Sequence, residues 1–383
     1  MILSAIPMVA MGDLVDKVGA AVDVNPSESY HQIGIRSHGK GLFYKEAVTG
    51  LVLGAKRVFW VEPDCLVVNI VFAWEQAVAR TTEADRGKIA SHRFPMYRPK
   101  AGLADVDYLT YLFKTKLGKH LLTLASPGGA GLNKTLGQAE FMRIEIPCPS
   151  LPEQKKIAAI LAVSDAAIAT TKSLIRNSRA QKKALMQQLL TGNKRLPGFT
   201  GKWNSFKLRE LTEIIYGASP KGIEDENGTN PIIGTGGIVG FTNQFTYDQP
   251  SIVIGRKGTI DRPQLVTGPF WAIDTTYYCK PLSGCDLHWL YHSFNDINFQ
   301  KHNESSGVPS LARETLYSIS LNVPSIPEQR AIAAVLNTAD ADISIWEREL
   351  VRLTSERTAL LQQLLTGKRR VHVISSAKER ASA

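Results

Sequence analysis

The residues able to do chemistry in this chain sit in loops broken by glycine. Gly34-Ile-Arg-Ser-His-Gly39-Lys40-Gly41 nearly spells a phosphate-binding loop, but Gly41 stands where a Ser or Thr would hold Mg²⁺. No clear strand precedes it and no helix follows. It reads better as a loop carrying Arg36, His38 and Lys40 toward a polyanion. Ile254-Gly-Arg256-Lys257-Gly-Thr259-Ile260 predicts a tight turn after a strand, presenting two cations and a hydroxyl. Arginine reads guanine bidentately, and lysine and threonine suit phosphate. The plainer alternative is a basic hairpin tip without a ligand. Ser91-His92-Arg93 and the glycine-rich stretch from Gly128 through Asn133 and Lys134 are comparable in the first half. Asn303, Ser305 and Ser306 occupy the corresponding place in the second. Such loops suit close approach to a phosphate and equally suit an ordinary connection.

Motifs for catalysis are missing at the level of sequence. Gly234-Thr-Gly-Gly-Ile-Val-Gly240 lacks dinucleotide-fingerprint spacing and predicts a hairpin. Asn25-Pro26-Ser27 and Asn230-Pro231-Ile232 are not the Asn-Pro-Pro-aromatic motif of an amino-methyltransferase. Pro63-Asp64 has no acidic-x-Lys partner of a metal nuclease. Cys65, Cys148, Cys279 and Cys285 form no C-x-x-C pair, so buried reduced thiols in a cytoplasmic protein are expected, with no metal and no cofactor held by this chain. No run of about 18 apolar residues is seen, so no membrane span is expected. The apolar start, Met1 to Met11, reads as a first strand and turn rather than a signal peptide, since it lacks a basic n-region.

The elements that must position these loops follow from an internal repeat. Pro149-Ser-Leu-Pro-Glu-Gln-Lys-Lys-Ile-Ala-Ala-Ile-Leu161 recurs 175 positions later as Pro324-Ser-Ile-Pro-Glu-Gln-Arg-Ala-Ile-Ala-Ala-Val-Leu336. The register holds without a gap to Leu189-Leu-Thr-Gly192 and Leu364-Leu-Thr-Gly367. Each copy predicts one long helix. Ser150 or Ser325 can cap it, Pro152 or Pro327 sits in the first turn, Glu153 or Glu328 faces the positive end of the dipole, and Gly192 or Gly367 stops it. A span from 152 to 190 is roughly 58 Å long.

Apolar residues in each copy repeat at spacings of three and four, a heptad seam. The first copy offers Ile157, Leu161, Ile168, Ile175, Leu185 and Leu189, diluted by Ser164, Thr171, Ser178 and Lys182. The second offers Ile332, Leu336, Ile343, Trp346, Leu350, Leu353, Leu360 and Leu364, with Arg357 its polar break. A long helix with such a stripe needs a partner, and the other copy supplies one. Lys172, Arg176, Arg179, Lys182 and Lys183 predict a basic, largely solvated face.

At 383 residues and net charge +10 the chain suits two domains and is compatible with nucleic acid. The charge is uneven: residues 149–199 carry +7, whereas 200–323 carry −2, so any DNA contact there needs a local basic cluster. The expected plan is an α+β protein in which mixed α/β domains alternate with long helices. The domains are 1–148 and 200–323. The central helix and linker take 149–199, the C-terminal helix 324–371, and a tail 372–383. Short strands are expected near 57–61, 65–72, 251–255 and 275–279, and short helices near 108–116 and 287–294.

The Pro-Ser-(Leu/Ile)-Pro-Glu-Gln openings, the Leu-Leu-Thr-Gly closings, Leu196-Pro-Gly-Phe199 with Trp203, the Ile254–Ile260 turn and the Phe270–Tyr278 run together resemble the specificity subunits of type I restriction-modification systems. The resemblance covers nearly the whole chain. It implies two target-recognition domains, each reading half of a split DNA site, separated by two long antiparallel helices in an internal pseudo-two-fold repeat. It further implies two modification subunits that carry S-adenosylmethionine and flip and methylate adenine. Restriction subunits, where present, bring ATP, Mg²⁺ and cleavage. The chain itself is then non-catalytic. The rival expectation is a two-domain assembly scaffold without a DNA role.

Overall fold

A computed structural model describes residues 6–128 and 134–371. It divides into two compact units, Met1–Thr170 with Leu350–Ala383, and Thr171–Glu349. In the first, strands β1 (Val15–Val18), β2 (Leu66–Val68), β3 (Val78–Arg80) and β4 (Met96–Pro99) form an antiparallel sheet in the order β1-β4-β2-β3. In the second, β5 (Thr212–Tyr216), β6 (Ser251–Gly255), β7 (Gln264–Val266) and β8 (Thr276–Pro281) form one in the order β5-β8-β6-β7. The two orders are the same. β2 and the Ile252–Ile254 centre of β6 are short apolar runs, and both strands are buried along their whole length, as strands covered on both faces must be.

In both domains the first strand is zipped to the last. Met8–Ala10 pairs with Glu145–Pro147, and Asn204–Lys207 with Ser320–Val323. Each domain also packs a short helix on its sheet: α1 (Val106–Phe113), capped by Asp105, and α3 (Leu287–Asp296), capped by Asp286. The long helices are α2 (Leu151–Leu189) and α4 (Ile326–Leu365). Gly192 and Gly367, just past their ends, have φ of +73° and +72°, the left-handed turn that favours glycine.

In each unit the two long helices run antiparallel, clamped by ion pairs that repeat at the 175 offset. Arg370 pairs with Glu153 at 2.6 Å and Arg357 with Asp165 at 2.6 Å in the first unit. Arg195 pairs with Glu328 and Lys182 with Asp340 in the second. Lys182, read from the sequence both as a seam position and as part of the basic face, is only 15% exposed and closes the seam, as Arg357 does in the other copy. Every seam position is buried or half-buried, including Ser164, Thr171 and Ser178. Ile157, Leu161 and Leu364 join the core of the first unit, and Leu189, Ile332 and Leu336 that of the second.

The glutamine next to each buried glutamate seats a domain on its helix. Gln154 accepts from Asp105 N and donates to the Leu103 and Pro149 carbonyls. Gln329 accepts from Asp286 N and donates to the Gly284 and Pro324 carbonyls. Six residues past each capping aspartate a second link reaches the helix pair. Tyr111 donates its hydroxyl to Asp165, whereas His292 binds Asn337 through Nε2 and holds Nδ1 3.9 Å from Asp340. By length and composition α2 holds an 18-residue window with mean hydropathy 1.4, although Ser164, Asp165, Thr170, Thr171 and Lys172 interrupt its apolar residues, so it contains no unbroken apolar run of that length. In the structure α2 carries the Asp165–Arg357 pair and turns its seam to α4.

The four cysteines are buried and unbridged, and burial pushes the Cys65 thiol up to about 11 and Cys285 up to about 12.

Two stability predictions follow from the clamps. Glu328→Ala strands Arg195 and removes an acceptor of Trp203 Nε1. It should cost about 2–3 kcal/mol, below a fully buried pair because Arg195 is 26% exposed. Arg179→Ala, at the exposed Glu347 pair, should cost under about 0.5 kcal/mol. Urea midpoints of the two variants check the contrast. Burial of His292 holds its pKa below the ordinary 6.5. The unfolded chain therefore binds a proton that the folded one refuses, so stability is present above pH 6.5 and falls as pH drops below it. His292→Tyr, the residue type that Tyr111 supplies in the first unit, should remove that part of the acid sensitivity in urea titrations at pH 7.5 and 5.5.

Candidate nucleic-acid interface

Each domain has one place where three distant segments meet through backbone hydrogen bonds. In the first unit the second residue past the end of β2 is the centre: Ile70 N donates to the Arg93 carbonyl at 3.0 Å, and Leu136 N donates to the Ile70 carbonyl at 2.8 Å. In the second, Arg256 N donates to the Thr275 carbonyl at 2.8 Å, and Leu311 N to the Arg256 carbonyl at 2.9 Å. Because the sheets share one strand order, Ile70 corresponds to Arg256 and Arg93 to Thr275.

In the second unit this junction gathers most of the polar groups singled out in that half of the sequence. The Arg256–Thr259 turn doubles back on β6 so tightly that a Cβ on Gly255 would stand 2.0 Å from the Thr259 carbonyl oxygen. Lys257 bridges to Ser310, and Gly258 N donates to the Pro309 carbonyl at 2.8 Å, bringing the 303–310 loop alongside. Arg256 donates to the Asp274 carbonyl at 3.0 Å and lies 5.2 Å over the ring of Tyr216. A second guanidinium, Arg313, lies 5.0 Å over the same ring. Tyr216 is 45% exposed, so this is an aromatic surface flanked by two cations. Lys257 and Ser306 are exposed, and Thr259 is half-buried. Asn303 does something else: Oδ1 accepts from Ser305 N and Ser310 N, and Nδ2 donates to the Ser305 carbonyl, so its amide laces the loop. The Ser305 hydroxyl accepts from Gly307 N within the same loop.

In the first unit the candidates are dispersed. Arg93 lies on the junction and lines a cleft of about 430 Å³. Arg36, His38 and Lys40 sit at the tip of the hairpin formed by Ile33–Ile35 and Leu42–Tyr44, away from that cleft's lining. The tip is fastened down, with His38 N and Gly39 N donating to the Glu75 and Gln76 carbonyls and Ser37 to the Glu75 carboxylate. His38 has φ +60°, a left-handed strain that this fastening holds. Arg36 stacks on Phe43 and Lys134 on Trp74. Asn133 lies outside the described residues.

Sequence reasoning passed over Tyr216 and Arg313 in the second unit, and Lys45, Lys56, Arg57 and Asn69 in the first. Arg313 carried a signal, since the 175 register sets it opposite Gln138 at the start of matching short helices, Gln138–Arg143 and Arg313–Ser318. Among the described residues no group of side chains with metal-ligating composition occurs.

Comparison with known proteins agrees with this organisation. The family model described as the type I restriction modification DNA specificity domain matches residues 69–177 and 200–355. The chain is 25% identical to the type I restriction enzyme MjaVIII specificity subunit of Methanocaldococcus jannaschii over 348 residues, 80% of this chain and 81% of that one. It is 30% identical over 118 residues to the EcoprrI specificity subunit of Escherichia coli, a match spanning 30% of this chain and 29% of that subunit. Among solved structures, the type I restriction-modification S subunit from M. genitalium superposes with a TM-score of 0.66 at 17% identity, covering 95% of this chain and 98% of the other. The HsdS subunit from Thermoanaerobacter tengcongensis superposes at 0.52 and 16% identity, covering 95% and 97%.

If Asn303 laces the loop, Asn303→Ala should speed hydrogen exchange at the Ser305 and Ser310 amides while leaving the α3 amides unchanged. The loss of these bonds should destabilise the unit by about 1–2 kcal/mol.

Proposed function

The chain belongs to the type I restriction-modification DNA specificity family, and from that premise we propose that it directs partner subunits to a two-part DNA sequence, each domain reading one part. The observation that carries this reading is the pair of junctions. Two scaffolds with one strand order and the same backbone bonds present different side chains at the same point. That is the arrangement expected of two readers of unrelated short sequences. In the second domain Arg256, Lys257 and Thr259 are the reading turn, with Ser305 and Ser306 beside it and Asn303 holding the neighbouring loop in place. In the first domain Arg93 does the reading, and Arg36, His38, Lys40 and Lys134 add positive charge for phosphates.

The chemistry falls to partners: two modification subunits holding S-adenosylmethionine for adenine methylation and, where a restriction subunit exists, ATP- and Mg²⁺-dependent cleavage. The long helices, with Ile157, Leu161, Ile168, Ile175, Leu185 and Leu189 on one and Ile332, Leu336, Ile343, Trp346, Leu350, Leu353, Leu360 and Leu364 on the other, carry the two readers. Such a complex works where the DNA is, in the cytoplasm.

The test is modified-base sequencing of DNA from cells making this chain with its modification subunit. The expected result is one methylated motif in two parts with a constant gap, absent without this chain. Arg256→Ala should relax the bases read in one part by roughly 1–3 kcal/mol per contact, about 5- to 150-fold. An unmethylated genome, with the partner bound, would favour an assembly scaffold.

A further inference from the structure

We propose that the cleft around Asn69 and Arg93 is the pocket with which the first domain grips and reads DNA, and that Lys45, Lys56 and Arg57, residues no motif points to, are its phosphate clamps. The proposal rests on the specificity reading above and adds the site for one half of the sequence.

Place is the first argument. Asn69 directly follows β2 and Ile70 is the centre of the junction, so the cleft opens at the scaffold position that in the second domain carries the Arg256 turn. The guanidinium is presented from a different strand of the junction. In the second domain it comes from the segment after the third strand of the sheet order. In the first it comes from the segment leading into β4, at Arg93, whose carbonyl closes the junction.

Charge is the second. Lys45, Lys56, Arg57 and Arg93 all line the cleft, and among the described residues no carboxylate lines it. None of the four forms an ion pair with a described carboxylate; Arg57 stacks on Phe59, 5.5 Å from its ring centre. Four like charges around one concave surface repel each other, and a polyanion is the ligand that relieves them.

The third argument is an unpartnered donor on the cleft wall. Asn69 is 7% exposed. Its Oδ1 accepts from Val71 N at 3.1 Å, whereas Nδ2 has no partner among the described residues. Nδ2 is not among the fully buried polar atoms left without a partner, so this N–H opens onto the cleft, where a ligand can accept it. Held by Val71, this amide offers a donor of fixed direction on the cleft wall, suited to a base edge or a phosphate oxygen. Phe72, 38% exposed, gives the same wall an apolar surface against which a sugar or a thymine methyl can pack.

The experiment uses the full chain with its modification subunit. Asn69→Ala and Arg93→Ala are each sequenced for methylated motifs beside Arg256→Ala. The expected result is that both first-domain variants make one part of the motif degenerate while Arg256→Ala degrades the other part. Retention of both parts unchanged in Asn69→Ala and Arg93→Ala would overturn the assignment. Because loosening of the fold would give the same loss, a second measurement uses exposed residues. Lys45→Ala/Lys56→Ala should reduce the slope of log affinity against log salt by about 1.8, or roughly 0.9 per phosphate contact. An unchanged slope overturns the clamp. Should the unaltered complex yield no two-part motif, the specificity reading falls and the cleft with it. A two-part motif in the unaltered complex that survives the cleft variants sinks the cleft alone.

Discussion

Two buried carboxylates set the geometry of the chain. Glu153 and Glu328 open the long helices with side chains 5% and 2% exposed. A charge so far from water is tolerable when it is paired and hydrogen-bonded. The paired cation in each case comes from just past the far end of the other helix, Arg370 for Glu153 and Arg195 for Glu328. That demand fixes direction and register together: a helix slipped by a turn, or turned parallel, would leave a carboxylate stranded. The adjacent glutamines then use their amides on the turns that cap α1 and α3. One tripeptide, Pro-Glu-Gln, thus ties helix to helix and helix to domain.

Further along the helices the same requirement is met with different residues. Asp165 is held by Arg357 and a tyrosine hydroxyl, Asp340 by Lys182 with a histidine nearby. Duplicated halves can drift in this way so long as each seam carboxylate keeps a cation. The drift has a consequence for the second unit, where an imidazole that resists protonation replaces a phenol that never titrates in the working range.

Much of this frame was legible in the residues. The gapless repeat announced two long helices; the first falls within a residue of the 152–190 expected, whereas the second stops at Leu365, at the turn of Gly367, six residues short of the 324–371 segment expected. The diluted seam of the first copy has a simple cause: Ser164, Thr171 and Ser178 are small enough to sit against α4, and Lys182 is answered by Asp340. The interface was less legible because backbone hydrogen bonds between residues far apart in sequence create it. Nothing in the identity of Ile70, Arg93 or Leu136 says that they meet. Local composition also misleads in both directions. Asn303 has the look of a phosphate-binding loop residue, yet its amide is committed within the loop. The tip bearing Arg36, His38 and Lys40 has the look of a free arm, yet it is pinned to the 75–76 turn.

That the junctions are made of main-chain donors and acceptors explains how the domains can differ so much. A bond from Ile70 N to the Arg93 carbonyl is indifferent to both side chains, so the residue at the centre can be isoleucine in one domain and arginine in the other without loss of the fold. Stability is kept by the buried β2 and β6 strands behind the junction, and the side chains in front of it are free to change. The same separation accounts for the uneven charge. A domain whose segment carries −2 still concentrates Arg256, Lys257 and Arg313 at its junction. Positive charge is needed where phosphate arrives, not averaged over the chain, because screening confines the attraction to about 8–10 Å.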